Sequence, residues 1–144
     1  MTEHAAIKDR DDGPILWSNA LFLSLSPLLA ILLIPIYLWY SGGHWAIWVT
    51  TFAMWIFTGL GITLGYHRLF AHRSYKASPV WRFLALVAGA ATLQNSAIVW
   101  AAAHRRHHRH TDHHGDPYDA TRGFWWAHMK WIFHENDQAD DLSN

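Results

Sequence analysis

The sequence contains no cysteine among its 144 residues, and this absence excludes several kinds of site at once. Disulfide bonds, thiolate zinc sites and thiol redox chemistry all require cysteine. Charge is also scarce, since 15% of the residues are charged, whereas about a quarter are charged in a typical soluble domain. Eleven basic residues balance eleven acidic ones, so the net charge gives no indication of a nucleic-acid partner, and none is expected.

Histidine and tryptophan are abundant instead, with 12 and 10 copies. Tryptophan suits membrane interfaces, where its ring lies in an apolar layer while its N–H stays in contact with water. Histidine at this density suits metal binding. The composition therefore indicates a membrane protein that holds a metal.

Two long uncharged apolar runs, residues 20–40 and 45–66, are each long enough to cross a bilayer as a helix. The short turn at 41–44 leaves almost nothing on the far side, so we predict a multi-pass integral membrane protein with a helical hairpin. Gly61 and Gly65 have the small-x-x-x-small spacing that permits close approach of helices. Ordinary glycines of a membrane helix would show the same pattern, so this motif leaves both interpretations open.

Positive charge is distributed unevenly around these spans. The turn at 41–44 contains no lysine or arginine, whereas Lys8 and Arg10 precede the first span. Further basic residues follow the second span, among them Arg68, Arg73, Lys76, Arg82, Arg105, Arg106 and Arg109. The positive-inside rule therefore predicts that the N-terminus and everything after Tyr66 lie in the cytoplasm.

A third apolar stretch, residues 81–103, is predicted not to cross the membrane. A spanning helix of about 22 residues would carry the chain roughly 33 Å and would separate the histidines on its two sides. Its centre also contains Gly89, Gln94 and Asn95, which are weak residues for a span. We predict one helix that lies along the membrane interface or packs against the hairpin, followed by a polar and aromatic cytoplasmic cap.

Two histidine clusters flank this third stretch. His67 and His72 form H-x-x-x-x-H at the cytoplasmic end of the second span. His104, His107 and His108 form H-x-x-H-H, and on a helix these three would share one face. His67 and His72 are five residues apart, so we predict that they converge only because the helix ends between them.

Five clustered histidines exceed what one tetrahedral ion needs, which indicates two metal ions. Imidazole suits iron, zinc, copper and nickel. A zinc hydrolase would need a glutamate base, as in H-E-x-x-H, and neither cluster contains one. We therefore favour a pair of irons that activates oxygen. The isolated histidines are interpreted as structural or interfacial: His4, His44, His128 and His134.

Several segments together resemble one enzyme family. They are residues 65–75 around the first cluster, Gln94-Asn95 before Trp100, the second cluster, Asp116-Pro117-Tyr118, and residues 122–128. In combination they resemble the membrane-bound delta-9 fatty acyl desaturases, both acyl-CoA and acyl-lipid members. The resemblance covers residues 15–144.

That resemblance implies an all-α membrane fold with a di-iron centre in a cytoplasmic cap. It implies O₂-dependent insertion of a cis double bond, at the delta-9 position, into a saturated long-chain acyl substrate carried as acyl-CoA or acyl-lipid. Electrons would come from a donor such as ferredoxin or a cytochrome b5-type protein, and membrane lipids would surround the spans. By resemblance, the iron ligands are His67, His72, His104, His107 and His108. The resemblance implies no catalytic residue beyond these ligands, and it implies that Asn95 lies along the substrate.

The family pattern also includes a third H-x-x-H-H box, a further histidine on a later span and a second membrane hairpin. Residues 110–114 repeat the H-x-x-H-H spacing, but we interpret them as a solvated polar turn. We therefore expect a polar segment at 1–19 and a partial desaturase domain at 20–144, with the hairpin at 20–66 and the histidine-box region at 67–144. We expect a fragment, a truncated frame or a degenerate copy that alone binds metal weakly and forms no unsaturated fatty acid.

The acyl carrier is less clearly indicated. Acyl-CoA members of the family tend to have Arg-Asp immediately before the second box and a basic pair further along, where this sequence has Ala102-Ala103 and Glu135-Asn136. This difference leaves room for a lipid-linked or carrier-linked chain. Two alternative functions also stay open: a di-iron alkyl or fatty acid hydroxylase, and a non-catalytic desaturase fragment.

Overall fold

The computed structural model describes residues 13–135 and Leu142. Over these residues the secondary structure is helical, apart from an isolated antiparallel bridge between Ile15 and His134. Two of the helical segments, Trp17–Ser41 and Trp45–Ala71, are long and apolar enough to cross a membrane. The all-α prediction is confirmed, and both predicted spans form helices of sufficient length and apolar composition.

The first span is helix α1, Trp17–Ser41, and it continues through Pro27 and Pro35 without ending. It stops at Gly42, whose φ of 71° is left-handed and whose N–H donates to the Leu38 carbonyl oxygen at 3.0 Å. Glycine adopts this conformation without steric cost, which explains why the helix ends there.

The second span has two parts. Helix α2 covers Trp45–Leu60, and a π-helix continues it from Gly61 to Ala71. The span is therefore longer than the apolar run at 45–66 suggested, and His67 lies within it. π-Helical segments are rare, and those that do occur are often found at functional sites.

The third apolar stretch forms two helices instead of one. Helix α3 covers Pro79–Ala90 and helix α4 covers Ala97–His110. The prediction of one continuous helix over 81–103 was wrong, because the turn between them places Leu93 and Asn95 at left-handed φ values of 59° and 74°. The prediction that this stretch packs against the second span is confirmed, since α3 contacts α2 and the π-helix.

Small residues allow α3 and the second span to approach closely. A β-carbon added to Gly61 would lie 2.5 Å from the carbonyl carbon of Ala88, and one added to Gly65 would lie 3.0 Å from the β-carbon of Ala85. Both separations are shorter than ordinary van der Waals contact. The Gly61-x-x-x-Gly65 spacing is therefore a true packing motif here.

The described residues form two compact units. One contains residues 43–106, with the second span, α3 and most of α4. The other contains α1 together with residues 107–135, including a short helix α5 at Phe124–His128 and a 3₁₀ turn at Lys130–Phe133. In the latter unit the backbone N–H of Leu16 donates to the Phe133 carbonyl oxygen at 2.7 Å, which ties this turn to the start of α1.

Candidate metal centre

The first histidine pair lies at the end of the second span. His72 donates its backbone N–H to the carbonyl oxygen of His67, five residues earlier, at 2.9 Å. In a π-helix residues i and i+5 are bonded in this way, so their side chains lie on one face. The two imidazole Nε2 atoms are 3.1 Å apart. The helix ends at Ala71, between the two histidines, as predicted, whereas the π-helical form of its last part was not predicted.

His104 on α4 joins this pair. Its Nε2 is 3.1 Å from the Nε2 of His72, and its ring centroid is 4.6 Å from that of His67. Trp100, one turn earlier, stacks on His104 with centroids 5.0 Å apart and an interplanar angle of 21°. The Trp100 indole N–H donates to the side-chain oxygen of Gln94 at 3.2 Å. This bond holds the indole against His104 and so restricts the orientation of the imidazole.

His108 follows His104 by one turn on α4, which is continuous from Ala97 to His110. Residues at this spacing share a helix face. One ligand atom from each of His67, His72, His104 and His108 lies within 4.8 Å of all the others. Across residues 13–135 and Leu142, this is the one group of three or more potential metal-ligand side chains. We call it the four-histidine group.

The spacing of these nitrogens fits a metal ion. Histidine nitrogens lie about 2.0–2.1 Å from zinc, so two of them bonded to one ion at right angles are about 3 Å apart. The 3.1 Å separations of Nε2 atoms in the group match this value. Imidazole donors suit iron, zinc, copper and nickel. The group can therefore hold a transition metal.

His107, predicted as a fifth ligand, does not belong to the four-histidine group. Its Nδ1 is 2.9 Å from each carboxylate oxygen of Asp116. Its ring also packs on Tyr118, with centroids 4.4 Å apart. Sequence reasoning singled out Asp116 only as part of a motif and did not predict this contact. The role of His107 as a ligand stays a prediction.

Asn95, predicted to lie along the substrate, is exposed in the turn between α3 and α4. Its backbone carbonyl oxygen accepts a hydrogen bond from the hydroxyl of Tyr66 at 3.4 Å. Tyr66 is 1% exposed and meets Trp100 edge-on, with centroids 6.0 Å apart. The turn is thereby tied to the residues that surround His104. The contact of Asn95 with substrate stays a prediction.

The remaining histidines make local contacts. His44 caps α2, since its Nδ1 accepts from the backbone N–H of Ala46 at 3.3 Å. His128 and His134 each donate from Nδ1 to a backbone carbonyl oxygen at 2.9 Å. These contacts agree with the structural interpretation of the three residues. His4 lies outside the described residues.

The second H-x-x-H-H sequence, residues 110–114, begins at the last residue of α4 and continues into turns. His113 and His114 are exposed, and the Nδ1 of His113 donates to the carbonyl oxygen of Thr111 at 2.8 Å. None of these histidines belongs to the four-histidine group. Residues 110–114 therefore form the polar turn that we predicted.

An open cavity of about 670 Å³ lies within residues 43–106. Among the described residues that line it are four cationic side chains and no carboxylate. The cations are Arg73, Lys76, Arg82 and Arg105, and the apolar wall includes Leu69, Phe70, Leu86 and Ile98. Arg73 and Arg105 directly follow His72 and His104 in the chain. We call this the basic cavity; it can receive a ligand that combines an anionic group with an apolar chain.

Comparison with curated proteins gives a consistent set of relatives. The chain is 37% identical over 139 residues to the sn-2 palmitoyl-lipid 9-desaturase of Nostoc sp. (strain 36), covering 95% of this chain and 47% of that protein. It is 41% identical over 130 residues to the sn-1 stearoyl-lipid 9-desaturase of Anabaena variabilis, covering 86% of this chain and 45% of that protein.

An animal relative has a comparable sequence identity to this chain. The Delta(9)-fatty-acid desaturase fat-6 of Caenorhabditis elegans is 43% identical over 119 residues, covering 82% of this chain and 34% of that protein. No family model matches the chain. The chain thus spans about half the length, or less, of these curated relatives.

Proposed function

This chain belongs to the membrane-bound delta-9 fatty acid desaturase family. We propose that it functions as part of an O₂-dependent di-iron oxidoreductase, which introduces a cis double bond into a saturated long-chain acyl group. The observation that supports the proposal is the convergence of three imidazole Nε2 atoms. The Nε2 of His72 lies 3.1 Å from that of His67 and 3.1 Å from that of His104. The double bond is assigned to the delta-9 position because the relatives are named for that position.

Iron is the metal that we propose for this centre. The four-histidine group would hold it, and His107 is proposed as an additional ligand. These donors are neutral imidazoles with no thiolate, since the chain has no cysteine. When bound, a pair of irons supplies activation of O₂ for the removal of hydrogen from unactivated carbon.

The balance of the reaction defines the other participants. Two adjacent methylene groups each lose one hydrogen as the carbon–carbon double bond forms. One O₂ takes up these two hydrogens, two further protons and two electrons, and leaves as two waters. The two electrons require a separate donor, and we propose a ferredoxin or a cytochrome b5-type protein.

Aromatic residues restrict His104 and cover one side of its ring. Tyr66 is almost fully buried, and Trp100 stacks on His104 and packs edge-on against Tyr66. This aromatic layer restricts the imidazole of His104 and excludes water from one side of it. A fixed geometry of the metal ligands is one contribution that a protein makes to a reaction of this kind.

The basic cavity supports an acyl substrate with an anionic carrier. Its apolar wall suits part of a hydrocarbon chain, and its four cationic side chains suit phosphate. Both coenzyme A and phospholipids carry phosphate, so either carrier shares this chemistry. Asn95, which does not line the cavity, is proposed to lie along the acyl chain. The relatives named above act, by name, on palmitoyl-lipid and stearoyl-lipid groups.

The proposed topology places the metal centre on the cytoplasmic side. The turn between the two spans contains no lysine or arginine, whereas basic residues lie before the first span and after the second. Positive residues favour the cytoplasmic face. The basic cavity would therefore open where soluble acyl carriers and electron donors are found.

A chimera tests the proposed activity. This chain would replace the matching 139 residues of the Nostoc desaturase, and the chimera would be expressed in a host that lacks its own desaturase. We expect monounsaturated fatty acids in the membranes, and none from the same chimera with His104→Ala. A hydroxylated product would identify a hydroxylase, and the absence of any product from an inserted chimera would contradict the proposal.

A further inference from the structure

A buried carboxylate contacts the one predicted ligand that lies apart from the four-histidine group. The Asp116 side chain is 0% exposed, and each of its oxygens is 2.9 Å from Nδ1 of His107. Burying a carboxylate is unfavourable unless it is hydrogen-bonded. The buried carboxylate of Asp116 is therefore stabilised in part by its contact with His107.

Asp116 is held rigidly by the backbone around it. Its Oδ2 accepts from the N–H of Asp112 at 2.9 Å, and its Oδ1 accepts from the N–H of Tyr118 at 3.1 Å. Asp112 is at a left-handed φ of 59°, which turns this N–H toward the carboxylate. Both oxygens are thus anchored independently of the histidine, and the carboxylate is preorganised.

The contact determines which nitrogen of His107 carries the proton. A carboxylate only accepts hydrogen bonds, so the Nδ1 that faces it must donate. A neutral imidazole with its proton on Nδ1 has its lone pair on Nε2. The ring plane is restricted as well, because Tyr118 packs on it with centroids 4.4 Å apart.

We propose that Asp116 is a positioning residue that fixes the tautomer and orientation of His107, so that Nε2 is the atom presented to the metal. The inference rests on the proposed function, since it takes His107 as a ligand. Histidines that bind metal commonly donate their other ring N–H to a carboxylate, which also makes the ligand nitrogen more basic. Loss of such a partner typically lowers metal affinity about 10–100-fold.

The first measurement concerns the tautomer and needs no metal. The 144-residue chain would be labelled with ¹⁵N-histidine, purified in detergent micelles, and studied by NMR through the ring nitrogen shifts, with His107 assigned by its loss in His107→Gln. We expect His107 to carry its proton on Nδ1. A proton on Nε2 in the unchanged protein would overturn the proposal without any variant of Asp116.

The second measurement concerns metal affinity. Cobalt(II) would be titrated into the same chain and followed by its ligand-field absorption. We expect Asp116→Asn to weaken cobalt binding about 10–100-fold. Glu135→Gln is the matched control, because it makes the same carboxylate-to-amide change at an exposed residue; the cobalt affinity of this variant should equal that of the unchanged chain.

A double-mutant cycle separates positioning from general structure. In a His107→Ala background Asp116→Asn should cause no further loss of cobalt affinity, because the proposed effect acts only through His107. An equal loss in both backgrounds, or no loss in either, would overturn the inference. Failure of the unchanged chain to bind cobalt would instead count against the proposed metal centre, while the tautomer measurement would still test Asp116.

Discussion

His67 and His72 lie on one face of the chain because a π-helical hydrogen bond joins them, from the N–H of His72 to the carbonyl oxygen of His67 at 2.9 Å. An α-helix would place residues five apart on different faces. The π-helix instead brings the two Nε2 atoms to 3.1 Å. The five-residue spacing of the two histidines in H-x-x-x-x-H thus equals the spacing of hydrogen-bonded residues in a π-helix.

Close packing of α3 against the second span gives a prediction about stability. Gly89 lies directly under the ring of Tyr66, so a side chain at this position would collide with the ring. We expect Gly89→Val to destabilise the protein by about 1–3 kcal/mol, as overpacking does, and to lower its melting temperature in detergent. Gly59→Val is the control, because no atom lies within 4 Å of its added β-carbon. Equal melting temperatures for the two variants would contradict the packing described here.

The distribution of charge gives a prediction about topology. Reporter domains fused after Ala77 and after Arg109 should both report the cytoplasm, because α3 and the turn after it do not carry the chain across the membrane. A reporter fused at Gly43, between the two spans, should report the opposite side. A far-side signal from the fusion after Arg109 would show that α3 and α4 cross the membrane, and a shared metal centre would then be impossible.

The basic cavity gives a prediction about ligands. Palmitoyl-CoA and phosphatidylglycerol, added separately to the purified chain, should each raise its melting temperature if phosphate is recognised there. The carrier that stabilises more strongly at equal concentration identifies the preferred source of phosphate. Lys76→Glu combined with Arg82→Glu should abolish the stabilisation, because it reverses two of the four charges that line the cavity.

The control for this experiment is Arg109→Glu, since Arg109 is exposed and does not line the cavity. This variant should respond to both ligands like the unchanged chain. Equal responses from the unchanged chain and the cavity variant would contradict phosphate recognition by the basic cavity.

Much of the architecture could be predicted from the sequence. The two uncharged apolar runs predicted the two long apolar helices. That residues 81–103 do not cross the membrane stays a prediction. The α-helical spacing of His104 and His108 was also sufficient to place them on one face of α4. These features depend on the hydrophobicity of a segment and on the spacing of residues along a helix, which are properties of the local sequence.

Other features depended on tertiary structure. The helix end between His67 and His72 was predicted from the sequence, but the π-helical hydrogen bond that joins the two residues was not. The break between α3 and α4, after Ala90 and before Ala97, was missed. The start of α3 was also missed, although Ser78-Pro79, just before the predicted bound at residue 81, is a typical helix start. The contact of Asp116 with His107 depends on the left-handed turn at Asp112, which spacing alone does not indicate.

The central claim is that His67, His72, His104 and His108 together bind a metal. The direct test is anaerobic equilibrium dialysis of the purified chain against increasing iron(II), with the iron on both sides of the dialysis membrane measured by mass spectrometry of the elements. We predict stoichiometric binding of iron by the unchanged chain at saturating iron(II). His104→Ala should remove most of that iron, since His104 lies within reach of both His67 and His72.

His44→Ala is the matched control, because His44 caps α2 and lies outside the four-histidine group. Its iron content should equal that of the unchanged chain. The same iron content in His104→Ala as in His44→Ala, or no iron in the unchanged chain at any concentration, would contradict the account.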